Sequence, residues 1–329
     1  MINFVPYFHL NYYFLLSNTL LCVPLSIGVN LIMEDLRRIC FFCAERIEEK
    51  KTLEHIIPNS LLEKLNIKEK TITGQKETQY SRVKVPAHST CNSGFGSDFE
   101  NRVLELLEDP DLLYKSLKDD EADIAMMYGP DESDTAIITT WLSKIYYGLF
   151  YYDLISTQDD DWRKTCSSVI ATDNFEYVRR SYKNGYGFQL PSSLYAFKTN
   201  NLDTDLTTFI EPSSILLKVG AITLILCISD GYLTKNYLNG DTLERLRKNI
   251  QAEDEANINF PSHKMAFAEI LALRSCIPKS PKFVTSDNQV INMSLSTMVS
   301  NPDEYYQIND DRYKQARIEM LGNFGIKYG

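Results

Sequence analysis

Histidine is scarce in this chain, 4 residues in 329, and the 7 cysteines follow no regular spacing. The cysteine pattern excludes the disulfide framework of a small secreted protein and points to a reducing, cytoplasmic setting. Low-complexity tracts and fixed-period repeats are missing too, which excludes solenoids and arrays. Charge is absent from the start of the chain: no Asp, Glu, Lys or Arg precedes Glu34. Residues 1–32 are long enough to span a bilayer, yet they lack the basic n-region of a signal peptide. Two readings stay open for them. Either they are an upstream extension before a natural start at Met33, or they are an anchor, with Arg37 and Arg38 holding the adjoining domain in the cytoplasm. No membrane attachment is expected unless the second reading holds.

The rest has the composition of an ordinary globular protein, 44% hydrophobic and 24% charged. A net charge of −10 argues against a chain coated all over in nucleic acid. The charge is uneven, however. Residues 33–104 carry 12 Lys/Arg against 11 Asp/Glu, so the acidic excess lies elsewhere and a phosphate-bearing ligand is permitted there.

Apolar spacing divides the chain. Residues 33–107 read as short strands and turns, with a helix over 59–66, two strands around Gly74 and a second helix capped by Ser97. Residues 108–134 are acidic and turn-rich, the pattern of a linker. Residues 135–329 read as a larger α+β domain. Its first helix, 135–155, is apolar almost all round, and Lys144 and Asp153 inside it mark a core helix instead of a membrane span. Lys144, Tyr146 and Tyr147 are expected in core and interface positions. A buried hairpin is expected around Gly220, and amphipathic helices over 241–250 and 263–273.

Against the scarcity of ligands, two close pairs stand out: Cys40-x-x-Cys43 and His88-x-x-Cys91. Two such pairs on separate turns are what a tetrahedral zinc site needs. The plainer alternative is a buried cysteine pair with His88 satisfied by hydrogen bonds. Between the pairs lies Glu54-His55, and Asn92 follows Cys91 directly. Adjacent strand residues face opposite ways, so one of Glu54 and His55 can hold a cation while the other faces a water. Imidazole suits the proton-accepting role; a carboxylate and an amide oxygen suit Mg2+. Equally, Glu54 can be a surface residue and His55 a satisfied core histidine.

Taken in order, C-x-x-C, "EHIIP" and H-x-x-C-N resemble the HNH (ββα-metal) endonucleases, in their zinc-stabilised branch. The tail "CNSGFGSDFE" is similar to one HNH subgroup, in which C-N is followed by Phe/Leu-Gly and an acidic residue. The resemblance spans residues 38–104, with His88 where most members carry Cys. It implies a small ββα-metal zinc nuclease domain ahead of the larger domain. Cys40, Cys43, His88 and Cys91 would hold structural zinc. His55 would be the general base, and Glu54 and Asn92 the ligands of a catalytic Mg2+ or similar divalent ion. Asp98 and Glu100 are expected to be solvated or supporting groups. Lys64, Lys68, Lys70, Lys76, Arg82 and Lys84 are candidates for phosphate contacts. The implied substrate is nucleic acid, DNA ahead of RNA, in a defence or mobile-element setting, with a regulatory partner on residues 135–329. The rival reading is a non-catalytic zinc-stabilised module that binds nucleic acid or protein.

Overall fold

The structure, a computed structural model, describes residues 36–48, 52–64, 66–69, 71–72, 78–119, 133–184, 192–200, 202–228, 240–251, 262–276, 282–284, 290–292 and 310–325. Residues 1–32, Lys70, Gly74, Lys76 and the acidic stretch 120–132 lie outside them. The fold is α+β.

A tight turn opens it. Ile39 bridges Arg46, Ala44 N–H donates to the Cys40 carbonyl at 3.0 Å, and Ala44 sits at φ 62° to close the loop. Next come β1 (Thr52–His55), α1 (Asn59–Lys64), β2 (Thr71–Ile72), β3 (Thr78–Gln79), a 3-10 turn (Tyr80–Arg82) and β4 (Lys84–Ala87). β2 and β3 pair as a short ladder, but β4 leaves them and runs antiparallel to β1, setting Glu54 opposite Val85 and His55 opposite Lys84.

α2 (Ser89–Phe95), a wide π-type turn (Gly96–Glu100) and α3 (Asn101–Glu108) come next, with helical dihedrals throughout. The helix expected to begin at Ser97 therefore begins at Ser89. Gly94 and Gly96 look like loop residues, yet a helical glycine costs only about 1 kcal/mol against Ala. Burial of Phe95 and Phe99 offsets that cost.

Within the acidic stretch, α4 (Pro110–Asp119) forms behind Asp109, whose Oδ1 accepts from the Asp111 and Leu112 N–H groups. α5 (Asp134–Ser156) is capped by Ser133, whose hydroxyl accepts from Ala136 N–H. Arg102 grips Asp134 through two nitrogens and Ser116 donates to the same carboxylate, joining α3, α4 and α5. α6 (Asp160–Ile170) and α7 (Asp173–Asn184) complete this half.

The remainder is an antiparallel sheet of β5 (Ser193–Lys198), β6 (Asp205–Phe209), β7 (Ser214–Val219) and β8 (Ile222–Cys227), in the order β5-β8-β7-β6. Gly220, at φ 55°, makes the expected turn between β7 and β8. Beyond the sheet lie α8 (Gly240–Gln251), α9 (Ser262–Cys276), the β9 (Lys282–Val284) and β10 (Val290–Asn292) pair, and α10 (Asp310–Asn323). The three helices bury Phe267, Leu271 and Leu321 against Tyr195, Phe197, Leu216 and Ile225 of the sheet. β7 and β8 are buried at every position, and α5 also lies against them. Among the described residues no helix is long and apolar enough to cross a membrane.

α5 is the element that positions everything upstream. Lys144, Gly148 and Tyr151 recur at i, i+4 and i+7, one stripe of the helix. Lys144 reaches β1, Gly148 meets Ile56, and the Tyr151 hydroxyl donates to the Ile39 carbonyl at 3.2 Å. Around Tyr151, Phe41 and Phe42 pack against Phe95, Phe175 and Tyr182, edge-on, tilted or stacked. Arg179 Nε donates to the Phe41 carbonyl at 2.8 Å. The cysteine turn is thus welded to α5 and α7.

A Cβ at position 148 would sit 2.1 Å from Ile56 Cδ1 and 3.1–3.2 Å from two further Ile56 carbons, so the whole side chain would have to move. Helix propensity alone predicts that Gly148→Ala stabilises by about 1 kcal/mol. The overpacking predicts the opposite sign, a loss of about 1–3 kcal/mol. Denaturant titration of the two proteins decides between them, and Ile56→Val, which removes the clashing Cδ1, should cost less in the Gly148→Ala background than in the wild type.

Candidate metal centre and the Glu54–His55 pair

The two ligand pairs of the sequence meet in space. One ligand atom from each of Cys40, Cys43, His88 and Cys91 lies within 4.8 Å of all the others. Tetrahedral zinc, with bonds of about 2.3 Å to sulfur and 2.0 Å to nitrogen, sets neighbouring ligand atoms roughly 3.5–3.8 Å apart. His88 Nδ1 is 3.4 Å from Cys43 Sγ and 3.9 Å from Cys91 Sγ. The other ring nitrogen, Nε2, is 3.2 Å from the Arg46 carbonyl, an acceptor that leaves the Nδ1 lone pair for a metal. The His88 N–H also points at Cys40 Sγ, at 3.5 Å.

The electrostatics favour a cation. Burial first, and then the neighbouring Cys40 and Cys43, push the Cys91 thiol up to about 12. Burial raises Cys43 as well. Three thiols so close cannot all ionise unaided, and a dication is what lets them. The cluster could hold a metal such as zinc.

From this cluster the chain runs into β1 and into α2, so the candidate pair and Asn92 are placed by it. Alternation turns Glu54 inward, nearly buried, while His55 faces the other side with Leu53, which is 53% exposed. Burial first, then the ammonium of Lys84, lowers the His55 pKa, so the imidazole is neutral and able to accept a proton at pH 7. Asn92 lies half-buried in the first turn of α2, which packs on β1.

Glu54 does not stand alone. Lys144 Nζ donates to Glu54 Oε1 at 2.5 Å, to Glu100 Oε1 at 2.5 Å and to the His55 carbonyl at 2.9 Å. The lysine side chain is 0% exposed and the two carboxylates 10% and 14%. The Phe95 ring closes the fourth side, 5.0 Å from Nζ. Burial raises the Glu100 pKa, and Lys144 pulls against that rise. Two expectations sharpen here. Glu100, expected as a solvated or supporting group, takes the supporting role, and Lys144 is buried as expected yet reaches the Glu54–His55 pair. The signal was a single lysine in an apolar helix: a buried ammonium must have partners. Asp98 is exposed, as expected of a solvated group.

The basic residues divide. Lys84 stands across the strand pair from His55, and Arg82 is exposed just before it. Lys64 and Lys68 instead pair with Glu108 at 2.8 Å and Glu63 at 2.9 Å.

No family model, curated protein or solved structure matches this chain.

Elemental analysis of the purified full chain should find about one zinc per molecule. Cys91→Ser should lower that content severalfold and lower the melting temperature, because so small a segment buries little core of its own. Full stability after exhaustive chelation would contradict a structural ion.

Proposed function

We propose that the chain is a metal-dependent endonuclease of the HNH type, hydrolysing phosphodiester bonds of nucleic acid, with DNA ahead of RNA. One observation carries this reading: a Cys3His cluster brings the turn ahead of an antiparallel strand pair to the start of a helix, with Glu54 and His55 at the end of one strand and Asn92 in the helix's first turn. That is the ββα order of the family the motifs resemble. The cluster would hold structural zinc.

In this reading His55, neutral and half-buried, takes the proton of the attacking water. Lys84, opposite it, and Arg82 engage the phosphates. Glu54 and Asn92 offer oxygen donors of the kind Mg2+ prefers, and a carboxylate has enough lone pairs to serve both Lys144 and a cation. Such an ion supplies charge stabilisation for the phosphorane and the leaving oxygen. The larger second half, residues 135–329, would select substrate or partner, and the protein would work in the cytoplasm.

A second reading has its own observation. Glu54 is engaged by Lys144, which also holds Glu100, as it would be in a non-catalytic zinc module that uses the Glu-His pair for structure.

The two part on His55 and Mg2+. The full chain is incubated with plasmid DNA or RNA, with Mg2+ or EDTA, beside His55→Ala of equal zinc content. The nuclease predicts cutting that needs Mg2+ and falls by about 10²–10⁴-fold in the variant. Nucleic-acid binding without cutting, equal in both proteins, would leave the binding module standing.

A further inference from the structure

Lys144 lies on α5, far beyond the segment that carries the motifs, yet its three ammonium protons are spent on that segment alone. An ammonium has three donors and no more. One goes to the Glu54 carboxylate and one to the carbonyl of His55, so two successive residues of β1 are tied to a single atom. The third goes to Glu100, which shares the charge. One turn further along α5, Gly148 receives Ile56, the next residue of the strand end. The side chain of Glu54, the peptide of His55 and the side chain of Ile56 are therefore all set by one stripe of α5.

We propose that Lys144 is a positioning residue for the Glu54–His55 pair, and that the site is completed by α5 instead of residing in residues 38–107 alone. The inference rests on the nuclease reading. Displacing the ammonium frees the His55 peptide and lets Glu54 turn away. A general base displaced by about 1 Å loses on the order of 10²-fold in rate while substrate contacts elsewhere persist. A lysine that merely filled the interface would affect stability and leave the chemistry of the surviving folded molecules unchanged.

Lys144→Met removes the charge but strands two carboxylates, so the decisive variant is the double Lys144→Met/Glu100→Gln, measured against Glu100→Gln alone. Zinc content and denaturation midpoint are read first, then kcat and KM on the nucleic acid that the wild type cuts, with Mg2+. The expected result is unchanged zinc, a kcat lower by about tenfold or more, and a KM within about threefold. Equal kcat in the two variants would overturn the positioning role and leave the nuclease reading intact. Loss of zinc and of the folded state in the double variant would also overturn it, because Lys144 would then serve the fold itself. A wild type that cuts nothing under any of these conditions would bring down the nuclease reading, and this inference with it.

Discussion

The buried ammonium of Lys144 is the interaction on which the arrangement of the candidate site depends. Taking a lysine fully out of water costs several kcal/mol, which its partners must offset. Here it has a complete set: two carboxylates and a carbonyl. One cation between two carboxylates leaves a surplus of negative charge, which burial opposes by raising the Glu100 pKa. Ion pairs of this kind are poor sources of net stability but strict about geometry, because breaking one partner leaves the other uncompensated. The lysine therefore fixes where α5 and β1 meet more than how tightly they hold.

The Cys3His cluster solves a different problem. Residues 38–48 and the β1–β4 pair are too few to make a core, and the hairpin has only two strands. A metal on Cys40, Cys43, His88 and Cys91 would close the long loop between the cysteine turn and α2. The aromatic residues between and after the ligands, Phe41, Phe42 and Phe95, then carry the segment onto α5 and α7. Such an ion and the aromatic core would act on the same turn.

Much of this was legible in the sequence. The cluster of Cys40, Cys43, His88 and Cys91 could be read because histidine and cysteine are so scarce that two matched pairs stand out. The α+β class, the β7–β8 hairpin and the core nature of α5 were encoded in apolar periodicity and in Gly220. The start of α2 was missed because Gly94 and Gly96 signal a loop locally, while the burial of Phe95 and Phe99 is a tertiary fact. Which of the two expected roles Glu100 takes, solvated or supporting, is not legible locally for the same reason. Its burial depends on a lysine 44 residues away, and no local pattern encodes such a pairing. Lys144 itself was visible as an anomaly in an apolar helix, but its partners were not.

The coupling of α5 to β1 runs through the Lys144–Glu54 pair. A double-mutant cycle measures it directly: wild type, Lys144→Met, Glu54→Gln and the double variant, all zinc-loaded, compared by denaturant unfolding. A coupling energy of about 2 kcal/mol or more is expected for a buried, fully hydrogen-bonded pair. Additive effects of the two substitutions, within about 0.5 kcal/mol, would contradict it.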